Sequence, residues 1–87
     1  MEAVKILSLL ADETRLRILK RLKKGEENVT KIVEYLKLSQ PTVSHHLRKL
    51  EEAELVIKRR YKKWVFYQAN KKFIRDFIKN FGVELDL

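Results

Sequence analysis

The chain has 87 residues, no cysteine and a formal charge of +8, because 20 Lys and Arg outnumber 12 Asp and Glu. This length predicts one small domain with a modest core, which a partner subunit would stabilise. The absence of cysteine excludes disulfides, thiolate metal sites and thiol chemistry. No apolar run reaches the roughly 18 residues of a membrane span, and the acidic N-terminus is unlike a signal peptide. We therefore expect a cytoplasmic protein with no membrane span, and its charge favours an anionic partner such as nucleic acid or an anionic membrane face.

Hydrophobic spacing predicts three short helices in the first 36 residues. The first fits residues 2–10. Asp12 can cap a second helix, which ends near Gly25, and Asn28 can cap a third. The apolar positions with this spacing are Val4, Leu7, Leu10 and Ala11 in the first helix, Leu16, Ile18, Leu19 and Leu22 in the second, and Val29, Ile32, Val33 and Leu36 in the third.

The stretch LSQPTVSHHLRKL, residues 38–50, contains the start of a fourth helix. Ser39 is a good N-cap, and Pro41 falls in the first turn, where its missing N–H does no harm. The short interval between Leu36 and Ser39 leaves room only for a tight connection, which is the spacing of a helix-turn-helix motif. We therefore predict a helix-turn-helix over residues 29–53.

The predicted fourth helix has an apolar side and a polar side. The apolar side carries Val43, Leu47 and Leu50, and the polar side carries Pro41, Ser44, His45, Arg48 and Glu52, flanked by Thr42 and Lys49. Gln and Arg can form bidentate hydrogen bonds with A and G, and Ser or Thr can bond to either kind of base. The polar side is therefore suited to contact DNA in the major groove.

The two adjacent histidines are not a metal site on this helix. His45 and His46 lie about 100° apart on a helical wheel, whereas two ligands for one metal need a spacing of four residues. His46 falls at the edge of the apolar side, so we expect it to pack against the core. His45 points outward, and DNA contact is favoured over simple solvation.

The pattern changes to a β-hairpin and then to a last helix. Residues 55–60 and 64–69 are rich in β-branched and aromatic side chains, and residues 61–63 separate them. The basic tip of the hairpin is suited to binding DNA phosphates. Alternatively, lysines at a solvated turn protect an edge strand from aggregation. The last helix is predicted over residues 71–81, ends at Gly82 and has a Phe-rich stripe. That stripe either pairs two copies of the chain or folds back on its own core.

Several motifs together resemble the ArsR/SmtB family of winged-helix transcriptional repressors. They are Asp12-x-Thr14-Arg15-Leu16-x-Ile18-Leu19, then LSQPTVSHHL and Leu50, then Leu55-Val56 and a strand that ends near Tyr67. The resemblance covers nearly the whole chain. It implies a mainly α fold with a β-hairpin wing, in the order α1-α2-α3-α4-hairpin-α5, and a homodimer made by the first and last helices. The expected arrangement is a single winged-helix domain over residues 1–87, with the wing at 55–69 and the dimerisation helix at 71–81.

The resemblance also implies roles for individual side chains. Gln40, Thr42, Ser44 and His45 would face bases, while Arg48 and the wing cations would hold the DNA backbone. The full set expected on the recognition helix is Ser39, Gln40, Thr42, Ser44, His45, Arg48 and Lys49, and the set on the wing is Lys58, Arg59, Arg60, Lys62 and Lys63. The expected dimer surface comprises Val4, Leu7, Phe73, Ile74, Phe77, Ile78 and Phe81.

Two departures from the family pattern bear on function. Many members sense metals through a cysteine pair near the third helix, or through Asp and His ligands on the last helix. Here the third helix has neither Cys nor His, and the last helix offers only Asp76 and Asn80 as oxygen donors. We therefore expect no metal site and no cofactor. The wing turn also lacks the glycine that is common in the family.

The favoured function is a sequence-specific regulator, a repressor that binds double-stranded DNA as a homodimer at a pseudo-palindromic operator. One alternative is a winged-helix module for protein–protein interaction, and another is a non-specific DNA-binding protein. An enzyme is not expected, because the sequence has no nucleophile with an evident base, no paired carboxylates in a pocket and no glycine-rich phosphate loop.

Overall fold

A computed structural model describes residues 2–87 and shows a mainly helical chain with a small sheet. Its elements are α1 (Glu2–Leu10), α2 (Glu13–Leu22), β1 (Glu27–Asn28), α3 (Val29–Leu36), α4 (Gln40–Glu52), β2 (Val56–Tyr61), β3 (Trp64–Ala69) and α5 (Lys71–Glu84). Helices α3 and α4 form the helix-turn-helix, and β2 and β3 form the wing. Within residues 2–87, no helix is long and apolar enough to cross a membrane.

The helix starts lie where the capping residues predict them. The Asp12 carboxylate accepts a hydrogen bond from the Arg15 N–H at 3.0 Å. The Asn28 and Ser39 side chains cap α3 and α4 in the same way. Each cap satisfies a backbone donor that the first turn of a helix leaves without a partner. Lys37 adopts a left-handed conformation with φ 57°, which lets the chain reverse between α3 and α4.

The core lies between α2, α3, α4 and the sheet. Its largest fully buried side chains include Ile18, Leu22, Ile32, Leu47 and Leu50. These positions follow the predicted apolar stripes. Because deleting a buried leucine or isoleucine side chain costs about 2–5 kcal/mol in other proteins, this cluster is expected to dominate stability.

Helix α1 packs against the core through Ile6, which is not among the positions whose spacing predicted the helix. Ile6 is 1% exposed and is the buried residue of α1, whereas Val4 and Leu7 are 59% and 39% exposed. The helix is apolar on more than one side, so spacing alone does not determine which side meets the core. Val4 and Leu7 therefore remain on the surface of the monomer.

The sheet has three strands in the order β1-β3-β2, all antiparallel. Strand β1 was not predicted, because two residues are too short to show a periodicity. The wing turn is shorter than predicted, since Tyr61 pairs with Trp64 and only Lys62 and Lys63 connect the strands. Lys62 has φ 54°, a conformation that glycine usually supplies in such turns.

Helix α5 continues beyond Gly82, so the prediction that Gly82 ends it was wrong. The helix runs to Glu84 and closes with Asp86 at φ 61°. The Leu87 N–H donates to the Gly82 carbonyl at 2.9 Å and the Asp86 N–H donates to the Val83 carbonyl at 3.0 Å. This Schellman arrangement satisfies the terminal carbonyl groups, and an interior glycine is tolerated in a helix at a cost of about 1 kcal/mol.

Candidate nucleic-acid interface

Helix α4 has one buried apolar face and one largely exposed polar face. Val43, Leu47 and Leu50 have no exposed surface. The predicted recognition residues Gln40, Thr42, His45, Arg48 and Lys49 are exposed, and Ser44 is half-buried. The core therefore holds the helix by one side and presents the other side, with its donors and acceptors, to solvent.

Ser39 and Thr42 are occupied partly with each other. The Ser39 hydroxyl accepts a hydrogen bond from the Thr42 N–H at 3.3 Å and donates one to the Thr42 hydroxyl at 2.9 Å. Ser39 is thus a capping residue first. By contrast, the side chains of Gln40, Ser44 and Arg48 have no hydrogen-bond partner within residues 2–87. They are available for an external ligand.

A groove of about 500 Å³ lies between α4, the start of α3 and the wing. We call it the α4–wing groove. It brings together five of the predicted contact residues, from α4 and from the wing that follows it in the chain. Those five are Gln40, Ser44, Arg48, Lys58 and Lys63, and the other lining residues are Asn28, Val29, Thr30, Glu51, Trp64, Val65 and Tyr67.

Some lining residues of the α4–wing groove were missed by the sequence analysis. Thr30 lies in the first turn of α3. Its position at the start of the helix-turn-helix could have predicted it as a lining residue. Tyr67 is 6% exposed and was read only as the end of the wing strand. Its pKa is raised, mainly by burial and also by the nearby Glu51 carboxylate. The tyrosine hydroxyl is a hydrogen-bond donor in its neutral form, and Tyr67 lines the groove, so it is a further candidate contact residue.

The wing cations lie on two different faces of the hairpin. Lys58 is opposite Tyr67 and Arg60 is opposite Val65, while Arg59 is opposite Phe66. Since side chains alternate along a strand, Lys58 and Arg60 share the face of Tyr67, and Arg59 belongs to the other face. The guanidinium of Arg59 lies 4.7 Å from the centre of the Phe66 ring.

Arg59 is also engaged in an ion pair. Its guanidinium donates to both carboxylate oxygens of Glu26, at 2.7 and 2.9 Å. The hydrogen bonds from Arg59 lower the pKa of Glu26 and, in return, raise the pKa of Arg59. The two charges offset each other, so Arg59 contributes less positive potential than its neighbours Lys58 and Arg60.

The two histidines have different surroundings. His45 is exposed, whereas His46 is half-buried. His46 Nδ1 accepts a hydrogen bond from Arg15 Nε at 3.2 Å, and the same guanidinium donates to the Leu9 carbonyl at 3.3 Å. Arg15 on α2 therefore links His46 on α4 with the end of α1, whereas His45 faces outward. Within residues 2–87, no group of three or more His, Asp or Glu residues lies close enough together to hold a metal ion.

The predicted dimer residues on α1 and α5 differ in their exposure. Phe73, Ile74 and Phe77 are partly buried and pack against the core, so the stripe on α5 does fold back in part on its own domain. Ile78, however, is 63% exposed. The rings of Phe77 and Phe81 stack with centroids 5.8 Å apart. Beside them, α1 and α5 enclose a further groove of about 290 Å³.

Comparison with known proteins places this arrangement in a family. Residues 12–58 match the model of the bacterial regulatory proteins of the arsR family. The chain is similar to an arsenical resistance operon repressor of Staphylococcus aureus, with 38% identity over 90% of this chain and 75% of the repressor. Residues 12–58, which the family model matches, contain the helix-turn-helix and the start of the wing.

Solved structures show the same fold. HlyU from Vibrio cholerae superimposes with a TM-score of 0.80 and 31% identity, over 99% of this chain and 94% of HlyU. A homodimeric winged helix-turn-helix DNA-binding domain from Mycobacterium bovis, solved by NMR, gives a TM-score of 0.80 and 27% identity, over 95% and 78% of the two chains. On its sequence and its fold, this chain belongs to the arsR family of bacterial regulatory proteins, with a winged helix-turn-helix architecture.

Proposed function

We propose that residues 1–87 form one winged-helix domain that acts as a homodimeric transcriptional repressor on double-stranded DNA. The observation that carries the proposal is the α4–wing groove, which holds α4 side chains that have no hydrogen-bond partner within residues 2–87 together with the wing cations Lys58 and Lys63. The chain has a charge of +8, which favours a polyanion. The domain works without catalysis, in the cytoplasm, where it meets its operator.

The proposed contacts divide into base readout and backbone contacts. Gln40, Thr42, Ser44 and His45 project from the N-terminal half of α4, which is the part of a recognition helix that reaches base edges in the major groove. Backbone contacts come from cations and do not depend on sequence. They comprise Arg48 and Lys49 on α4 and Lys58, Arg60, Lys62 and Lys63 on the wing, with Arg59 in a secondary place because it is paired with Glu26.

The proposed dimer forms through α1 and α5. Support comes from the exposed side chains of Ile78 and Val4 and from the stacked Phe77 and Phe81 rings, and from the homodimeric M. bovis domain. A twofold axis through such an interface presents two α4 helices to the same face of DNA. The operator is then a pseudo-palindrome whose half-sites are about one turn, roughly 10 bp, apart.

Selection of binding sites from a random duplex library tests the function. At about 150 mM salt, where non-specific binding is weak, we expect enrichment of one twofold-symmetric sequence. With on the order of 6–10 phosphate contacts, affinity for that site should fall about 10³–10⁵-fold between 50 and 200 mM salt. Tight binding at low salt without any enriched sequence would instead mean a non-specific DNA-binding protein. Absence of DNA binding at both salt concentrations would favour a protein–protein interaction module.

A further inference from the structure

A third groove lies between α1, α2 and α5, and it shares no lining residue with the α4–wing groove. We call it the α2–α5 groove. Its volume is about 460 Å³, within the range of about 300–1,000 Å³ that is usual for small-molecule sites. Its floor is apolar and consists of Leu10, Leu16, Leu19, Ala69 and Ile74. Leu16 is 45% exposed, although leucine is ordinarily buried when a core is available.

Four cations surround this apolar floor: Lys20, Lys23, Lys71 and Arg75. The pattern follows from helical spacing, because three- and four-residue intervals put Leu16, Leu19, Lys20 and Lys23 on one side of α2 and Lys71, Ile74 and Arg75 on one side of α5. In the part of the chain that the structure describes, no carboxylate lines the groove. Within residues 2–87, none of the four cations has an ion-pair partner. Their positive charge is left uncompensated beside an apolar surface.

We propose that the α2–α5 groove binds a small amphipathic anion, a fatty carboxylate. The acyl chain would lie on Leu16, Leu19 and Ile74, removing their exposed apolar surface from water. The carboxylate would lie at the rim, where Lys20 and Lys71 can donate charge-assisted hydrogen bonds. The apolar floor suits the acyl chain of such a molecule, and the cationic rim suits its carboxylate. An inorganic anion has no acyl chain, and a neutral lipid has no charge.

A second copy of the chain is the main alternative occupant, since Ile74 also belongs to the proposed dimer surface. A twofold interface centred on this groove would bring the same four cations of both copies face to face. Like charges opposed across an interface disfavour it strongly. DNA is a poor fit as well, because a phosphate backbone offers nothing apolar for the leucines. The proposal does not depend on DNA binding.

Titration with sodium dodecanoate below its micelle concentration tests the proposal, with calorimetry for affinity and methyl NMR for location. We expect saturable binding of one dodecanoate per chain. The largest methyl shifts should be those of Leu10, Leu16, Leu19 and Ile74. Dodecanol, which has the same chain without the charge, should bind at least tenfold more weakly.

Matched variants distinguish binding in the groove from non-specific binding of dodecanoate. Leu16→Asn and the double change Lys20→Gln with Lys71→Gln should each weaken dodecanoate binding about tenfold or more. Leu85→Asn and Lys79→Gln alter an exposed leucine and an exposed lysine outside the groove, so they should leave the affinity unchanged. DNA affinity, measured on the same samples, should stay at the wild-type value for Leu16→Asn and Leu85→Asn.

Three results would overturn the proposal. One is equal weakening by the groove variants and their controls, which would mean non-specific detergent binding. Another is no dodecanoate binding together with weaker self-association of Leu16→Asn, which would assign the groove to a second copy. The last is binding to vesicles containing anionic lipid but not to monomeric dodecanoate, which would make this side a membrane-surface contact.

Discussion

Arg59 and Glu26 form a bidentate ion pair that ties strand β2 of the wing to the residue that precedes β1. Half of the Arg59 side chain is exposed, compared with 29% of the Glu26 side chain. Surface pairs of this kind contribute little to stability in general. This pair matters for electrostatics, because it offsets the charge of one of the wing cations that are proposed to contact the DNA backbone. The neighbouring Arg60 has no ion-pair partner within residues 2–87.

The two adjacent wing arginines should therefore differ in DNA binding. We expect Arg60→Ala to weaken binding to all sequences and to reduce the slope of log affinity against log salt by about 1, as loss of one phosphate contact does. Arg59→Ala should have a clearly smaller effect on both quantities, because Glu26 already offsets its charge. Fluorescence anisotropy over a salt series measures both. Equal slopes for the two variants would contradict this division of the wing.

Gln40 should govern base preference. The amide of Gln40 is exposed in the first turn of α4 and lines the α4–wing groove, so Gln40→Ala should reduce discrimination between the selected site and a scrambled one by about 1–3 kcal/mol. Lys49→Ala is the matched comparison from the same helix. It should weaken both sites alike, since a phosphate contact carries no sequence information. An unchanged affinity ratio for Gln40→Ala would remove Gln40 from base readout.

Local signals in the sequence were enough to place most helices. Asp12, Asn28 and Ser39 cap the helices that they were expected to cap, because a cap needs only its own neighbours. The packing face of α1 could not be predicted in the same way. Ile6, Leu7 and their neighbours make that helix apolar on several sides, and only the position of the other helices selects Ile6 for the core.

The candidate site was predictable in part for a similar reason. The two faces of α4 follow from helical spacing, so the exposed positions of Gln40 and Arg48 could be expected. The pairing of Arg59 with Glu26 could not, because it joins residues 33 positions apart that meet only when the sheet forms. Strand β1 is also a tertiary feature, since its two residues acquire their structure by pairing with β3.

Asp12 should contribute stability that is lost in acid. The Arg15 N–H donates to its carboxylate, and this hydrogen bond is the main cause of the lowered pKa of Asp12. A carboxyl group whose pKa is lower in the folded state than in the unfolded state stabilises the fold at pH values above its unfolded pKa, here about 3.8. This contribution is lost as the pH falls through the folded pKa. Asp12→Asn keeps a capping oxygen but does not titrate.

Urea unfolding from pH 7 to pH 2.5 tests this role of Asp12. Asp12→Asn should be slightly less stable than the wild type at pH 7, because it lacks the charge, and should lose less stability than the wild type below about pH 3.8. Asp12→Ala should be less stable at pH 7 by about 1 kcal/mol, the usual cost of removing an N-cap. A parallel pH dependence for the wild type and Asp12→Asn would show that Asp12 does not contribute to the acid transition.

Ile78 should be required for self-association. It is 63% exposed, on the outer side of the Phe-rich helix, so Ile78→Glu puts a charge into the proposed dimer interface without disturbing the core. We expect sedimentation equilibrium to show a dimer for the wild type and a predominantly monomeric variant. Lys79→Glu, with the same new side chain at the next position, should remain dimeric. Dissociation of both variants would point to net charge rather than to the apolar surface.

The two glycines should respond oppositely to alanine. Gly82 lies inside α5, and a β-carbon added there would meet nothing within 4 Å. Gly82→Ala should therefore raise the free energy of unfolding by about 0.4–1 kcal/mol, since alanine favours the helix and restricts the unfolded chain. Gly25 has φ 153°, which L side chains rarely adopt, so Gly25→Ala should lower the free energy of unfolding by about 1–3 kcal/mol. Because α5 is proposed to pair the protomers, both variants should be unfolded at two protein concentrations. A Gly82→Ala change that destabilises only at the higher concentration would place that β-carbon against the partner subunit.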